Sequence, residues 1–129
     1  MQTVLIDTDI AIDYLRGHKE AIELIAPLWE ENRAYLSILS VYELYAGMRE
    51  KEKDATEGFI KACNIEPVTV KVARTAGELY RKSRATGMTL TSIDCLIAAT
   101  AVVGRHKIAT MDKEHYPDTL LVDIAPKTV

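Results

Sequence analysis

The feature that most constrains this chain is its opening run, Thr3-Val4-Leu5-Ile6-Asp7-Thr8-Asp9-Ile10, where an apolar stretch stops on a carboxylate and passes straight into a helical pattern. A short apolar run bounded this closely reads as a buried strand. An aspartate at the carboxyl end of a first strand stands where open α/β sheets bind their ligands. Three later acids, Glu43, Asp94 and Asp112, each lie at or near the start of a helical pattern. Whether they gather around Asp7 is the question that decides the chemistry.

The remainder of the chain alternates in the same way. Apolar residues recur at near-helical spacing over about 9–16 and 18–31, interrupted at Gly17, with Pro27 marking a kink or the last turn. Ala34-Tyr35-Leu36-Ser37-Ile38 reads as a short buried strand, and Ser40-Val41-Tyr42-Glu43 as the start of a helix reaching to about Arg49. The sign-alternating stretch from Arg49 to Asp54 reads as a solvated helix face or junction. A helix over Thr56–Cys63, a short strand at Ile65–Val68 and a longer helix over Val72–Thr86 follow, the last with Arg74, Arg81, Lys82 and Arg84 on a basic side. Thr91 caps a further helix; Lys107–Thr110 and Leu120–Val122 read as strands with a turn or short helix between them. Strands separated by helices imply a three-layer α/β/α fold around a mostly parallel sheet of about five short strands. Such a sheet collects its strand-end residues along one edge.

At 129 residues and 48% apolar side chains, the chain suits one domain with one core, expected over residues 1–125, followed by a short C-terminal tail at 126–129. No apolar stretch approaches the roughly 20 residues that span a bilayer, and no signal-like segment precedes Asp7, so a cytoplasmic protein without a membrane partner is expected. Cys63 and Cys95 form no CxxC pair and have no His at ligand spacing, which leaves them as small apolar fillers. The net charge of −3 argues against bulk electrostatic binding of nucleic acid. It is compatible with a nuclease, because a cation held by clustered acids turns repulsion of phosphate into attraction.

Each acid by itself reads as a helix cap. Ser40 to Glu43 and Thr91 to Asp94 both fit the capping box, and Asp7 and Asp112 are also placed to cap. A cap contributes about 1 kcal/mol. Two carboxylates about 4 Å apart repel by about 4 kcal/mol at an intermediate dielectric, so a true cluster requires a cation. All-oxygen ligation suits Mg²⁺ or Mn²⁺, and no Cys or His grouping favours zinc.

Leu5-Ile6-Asp7-Thr8-Asp9, Ser40-Val41-Tyr42-Glu43-Leu44, Asp94-Cys95-Leu96-Ile97-Ala98-Ala99-Thr100-Ala101 and Ala109-Thr110-Met111-Asp112 together resemble the successive motifs of PIN-domain ribonucleases, in particular VapC-type toxins of toxin-antitoxin pairs. The resemblance covers nearly the whole chain in the right order. It implies a PIN-like fold, and Asp7, Glu43, Asp94 and Asp112 as an acidic quartet that holds Mg²⁺ or Mn²⁺ and cleaves RNA with metal-activated water. Thr8 and Thr110 become polar neighbours that orient a ligand or a water, Asp9 an outer carboxylate or cap, and His115 a packed or surface residue. Met111 stands where many relatives carry arginine. A cognate antitoxin whose segment occupies the acidic cleft and a homodimer are further implications.

Two other classes share some of these features. Asp7-Thr8-Asp9 imitates the nucleophile motif of aspartate-dependent phosphatases, which also need a downstream lysine and a further acidic pair. A receiver-type signalling domain has similar size and acidic strand ends, but its late lysine follows a strand, whereas Lys107 precedes one. A degenerate relative that only binds is a third alternative.

Overall fold

The computed structural model describes residues 1–88 and 90–122. β1 (Val4–Ile6) leads into α1 (Thr8–Leu15) and α2 (Lys19–Glu30), and β2 (Ala34–Ser37) into α3 (Ile38–Gly47), a 3₁₀ turn (Glu50–Glu52) and α4 (Lys53–Ala62). β3 (Asn64–Glu66) precedes α5 (Val70–Ala85) and α6 (Ser92–Gly104); β4 (Lys107–Ala109) runs into the 3₁₀ turns Lys113–His115 and Asp118–Leu120. The strands form a parallel four-stranded sheet in the order β3-β2-β1-β4.

Alternation along β1 explains the layers. Val4 and Ile6 face a core shared with Ala34, Leu36, Ala109 and the inner sides of α1, α2, α3 and α4, where Ile10, Ile25, Leu28, Leu44 and Phe59 are buried. Leu5 points the other way, onto Ile108 and the α6 residues Ile97, Ala98 and Ala101. α5 covers α6 in turn through Val72, Ala76, Cys95 and Ala99. Burying a Leu or Ile completely is worth about 1.5–3 kcal/mol, so a strand as short as β1 is held by both of its faces. The small side chains Ala98, Ala99 and Ala101 on α6 allow its close approach to the sheet and to α5.

Two local expectations are corrected. Among the described residues the fifth strand at Leu120–Val122 is not seen: Asp118–Leu120 is a 3₁₀ turn, with Pro117 at its N-cap, and Leu121 makes an isolated parallel bridge to Ile108. The second correction concerns α3, which starts at Ile38, because Ser37 already has extended backbone and its Oγ accepts the Leu39 N–H at 3.1 Å. Ser40 is therefore an internal, fully buried residue and not a cap. Gly17 lies between α1 and α2 with φ +79°, a conformation that L side chains rarely adopt, so the turn there depends on glycine. Pro27 falls in the last turns of α2. Both cysteines are buried and free, and Cys63 Sγ accepts from Trp29 Nε1 at 3.4 Å. Residues 126–129, expected as a tail, lie outside the described residues. No described helix is long and apolar enough to cross a membrane.

The strand order has one consequence for function. From β1 the chain moves outward through β2 to β3, then returns to place β4 on the other side of β1. Connections that leave in opposite directions open a crevice at the carboxyl ends of β1 and β4, the usual ligand position in such sheets. Asp7 and Thr110 follow those two ends directly.

Candidate active site

Asp7 follows β1 as the N-cap of α1, and its two oxygens have separate duties. Oδ1 accepts the Thr8 N–H at 2.9 Å, and Oδ2 accepts the Thr110 hydroxyl at 2.9 Å across the β1–β4 crevice. Asp9 reaches the same place: Oδ2 accepts the Met111 N–H at 3.0 Å and lies 3.3 Å from Thr110 Oγ1. Thr110 Oγ1 in turn accepts the Asp112 N–H at 3.0 Å, so this buried hydroxyl joins the end of β1 to the turn after β4. Burial, and then the charge of Asp9, push the Asp7 carboxyl up from 3.8 to about 6, with a smaller contribution from Glu43. Burial also raises Asp9, which the Met111 and Ile10 N–H groups partly offset.

Glu43 comes to this group from α3. Its Oε1 accepts the Thr8 hydroxyl at 2.7 Å, and the same Thr8 oxygen lies 3.0 Å from Ser40 Oγ. Starting α3 at Ile38 is what puts Ser40 and Glu43 one turn apart on the side facing α1. Thr8 is thus to Glu43 what Thr110 is to Asp7.

Asp94 and Asp112 occupy the opposite side. Asp94 closes the capping box of α6, its N–H donating to Thr91 Oγ1 at 3.1 Å and its Oδ2 accepting the Thr91 N–H at 3.3 Å. Capping and a functional role are compatible, because an ionised carboxylate has about four acceptor sites and the cap uses one. His115, in the 3₁₀ turn, stands between the two acids, with Nδ1 2.9 Å from Asp112 Oδ2 and 3.6 Å from Asp94 Oδ2.

The predicted quartet therefore falls into two linked pairs. Asp7 and Glu43 interact electrostatically, Asp9 feels Asp112, and His115 joins Asp112 to Asp94. Among the described residues, the one grouping whose donor atoms lie within 4.8 Å of one another is Asp112, Glu114 and His115, on the solvent side. None of the site acids forms an ion pair with Lys or Arg among the described residues. The crevice donors are carboxylate and hydroxyl oxygens with a single imidazole, and both thiols are buried in the core. A hard divalent ion fits this donor set, and it would offset the burial and, secondly, the repulsion that hold Asp7 above its ordinary range.

Asp9, expected as an outer carboxylate or cap, accepts the Met111 N–H, and His115, expected as packed or surface, has Nδ1 near two acids without a hydrogen bond among the described residues. Tyr116 was not singled out; it reads as an ordinary core aromatic, and its buried phenol lies in the field of these acids. On the basic side of α5, the Arg84 guanidinium sits 4.6 Å over the Tyr80 ring, so part of that charge is already engaged within the helix.

Comparison with known proteins agrees with this fold. Residues 4–117 match the family described as PIN domain. Ribonuclease VapC19 of Mycobacterium tuberculosis is 39% identical over 123 residues, covering 95% of this chain and 97% of that protein. Ribonuclease VapC10 of the same organism is 32% identical over 114 residues, covering 88% and 86%. A solved toxin-antitoxin complex from Klebsiella pneumoniae contains a chain that superposes with a TM-score of 0.79 at 22% identity, covering 95% of this chain and 98% of that one, a likeness of fold.

Proposed function

The chain belongs to the PIN domain family, and from that premise we propose that it is a metal-dependent ribonuclease, the toxin of a toxin-antitoxin pair, that hydrolyses RNA phosphodiester bonds. The observation that supports the reading most is the acid-rich end of β1 and β4, where Asp7 and Glu43, and Asp9 and Asp112, act on each other electrostatically and none has a Lys or Arg partner among the described residues. The names of the relatives, ribonucleases at 39% and 32% identity, support the reaction, and the toxin-antitoxin complex of the same fold supports the biological setting.

In this reading Asp7, Glu43, Asp94 and Asp112 hold the ion, and Mg²⁺, with Mn²⁺ as substitute, is the cation that their oxygens prefer. Once bound, such an ion lowers the pKa of its water and offsets charge developing on the phosphate. The protein's own part is orientation. Thr110 holds the Asp7 carboxylate and Thr8 holds Glu43, so neither acid has to be ordered when the ion arrives. Asp7 is deprotonated above about pH 6 and therefore available as a ligand at neutral pH. Asp9 holds the turn after β4 through the Met111 N–H, and His115 Nδ1 lies 2.9 Å from Asp112 Oδ2 and 3.6 Å from Asp94 Oδ2.

The family match over residues 4–117 is what disfavours the phosphatase alternative; Asp9, the acid that reading would use, accepts the Met111 N–H through Oδ2 and the Ile10 N–H through Oδ1. The proposal extends to one catalytic domain over residues 1–125, a cytoplasmic location, a homodimer and an antitoxin segment seated in the acidic crevice. The test is sequencing of RNA 5′ ends after induction of the wild type and of Asp94→Asn. New ends at defined positions with the wild type alone are expected; identical end profiles for both would refute the assignment.

A further inference from the structure

Beside the acids lies a groove of about 440 Å³, bounded by the end of α5, by α6 and by the turns after β4. Leu79 and Lys82 come from α5, Val102 from α6, and His115, Pro117 and Leu120 from the turns. Most of the lining is apolar, and two of its side chains, Met88 and Val102, are each 45% exposed, so the groove is open to a ligand. It is continuous with the acid cluster through shared residues. His115 lines the groove while its Nδ1 stands 2.9 Å from Asp112 Oδ2, and Glu114, also in the lining, brings a donor atom within 4.8 Å of Asp112 and His115. A strand held at the acids has this groove as its neighbour on the α6 side.

The charges indicate what the groove takes. Glu114 and His115 belong to the part next to the acids, where a bound cation offsets negative charge. Lys82 comes from α5, forms no ion pair among the described residues, and is followed by Arg84 in the same last turn. An apolar slot with an unpaired ammonium in its lining complements one nucleotide, a flat base with a phosphate one step along the strand. The size argues against a docked helix. At about 10–12 Å across and about 5.4 Å per turn, a helix would place only about one turn in this volume.

We propose that the groove is a nucleotide subsite: it receives the base of an unpaired RNA residue next to the cleaved bond, with Met88, Val102 and the His115 ring against the base and Lys82 against a neighbouring phosphate. The inference rests on the ribonuclease reading and deepens it, because a base can enter only from a single strand. The test compares the affinity of the full chain for a single-stranded oligoribonucleotide and for the same ribose-phosphate strand without bases, by fluorescence anisotropy in Ca²⁺. The wild type should prefer the strand with bases by about 5- to 100-fold, the worth of one stacked base. Val102→Trp, which fills the groove from an exposed helix position, should remove most of that preference and leave Mn²⁺ affinity and sedimentation unchanged. Lys82→Gln should keep the preference and lower the slope of log affinity against log salt by about 0.7, one phosphate contact on a single strand. Should the tryptophan lower the melting temperature, Met88→Ala gives the same reading without added bulk, as a loss of preference of about 2- to 5-fold. Equal affinity of the wild type for both strands overturns the subsite, and so does a folded Val102→Trp with the wild-type preference. A Val102→Trp protein that sediments as a smaller species than the wild type would assign the groove to a second copy of the chain and overturn it too. A wild type as inert as Asp94→Asn would fault the ribonuclease reading instead; the two strands still decide the groove, since they read binding alone.

Discussion

On the β1 side of the crevice, Asp7 and Glu43 are each fixed by a threonine hydroxyl, and the backbone behind them is sheet and helix packed from both faces. On the α6 side, Asp94 is held by a helix cap, while Asp112 belongs to a turn, with its side chain 47% exposed and its partner an imidazole. The β1 side carries the electrostatic strain: it is there that burial and neighbouring acids push a carboxyl up to about 6. The α6 side is more open at Asp112 than the β1 side is at Asp7. If both sides hold one ion, as proposed, the contribution of the β1 side is the more preorganised.

The largest effect should come from the strained half. Asp7→Asn keeps one oxygen to accept the Thr8 N–H, turns an amide NH₂ donor towards Thr110 Oγ1 and removes the charge, so cleavage should fall by more than about 100-fold, beyond the loss that an outer-shell partner usually causes. The same variant should melt a few degrees higher than the wild type in EDTA, because the charge it removes is disfavoured by burial and by Asp9. Asp94→Asn should also lose cleavage, but with a melting temperature close to the wild type, since the amide oxygen still serves the cap; Asp94→Ala should lose about 1 kcal/mol in addition. If both asparagine variants stabilised the protein equally, the contrast between the halves would disappear. Thr110→Val removes the hydroxyl that ties Asp7 to the Asp112 turn, and should cost about 10- to 100-fold in rate as an outer-shell change.

The smallest effect is one of pH. Asp7 titrates at about 6 in the folded chain against 3.8 for the free group, so between those values the native state binds the proton more tightly than the unfolded state. Stability from this group is therefore lost as pH rises through that window. In EDTA the wild type should gain stability between pH 7 and pH 5 relative to Asp7→Asn, and saturating Mg²⁺ should cancel the difference. Parallel melting curves for the two proteins across that range would remove the strain from the β1 side.

The two halves also differ in how far the amino-acid order foretold them. β1 and Asp7 were legible because an apolar run that ends on an acid and turns helical has few other readings. Glu43 was legible as an acid early in a helix, although through the wrong serine: Ser37 and Ser40 are equally able to cap, and only the end of β2 decides between them. Leu120-Leu121-Val122 has strand composition but pairs through one bridge, because strand formation depends on partners that the local sequence does not contain. On the α6 side, the cap of Asp94 was readable from Thr91, whereas the position of His115 between two acids is a product of tertiary folding. Tyr116 was the least visible, since an aromatic beside a proline is usually core; here ring and hydroxyl are both buried, and the hydroxyl has no hydrogen-bond partner among the described residues.

The central claim is that both halves serve one divalent ion. Mn²⁺ affinity, measured by electron paramagnetic resonance on the wild type, Asp7→Asn and Asp94→Asn without RNA, tests it most directly. One site with affinity reduced in both variants is the predicted result; Asp94→Asn binding Mn²⁺ as tightly as the wild type, with Asp7→Asn alone impaired, would contradict it.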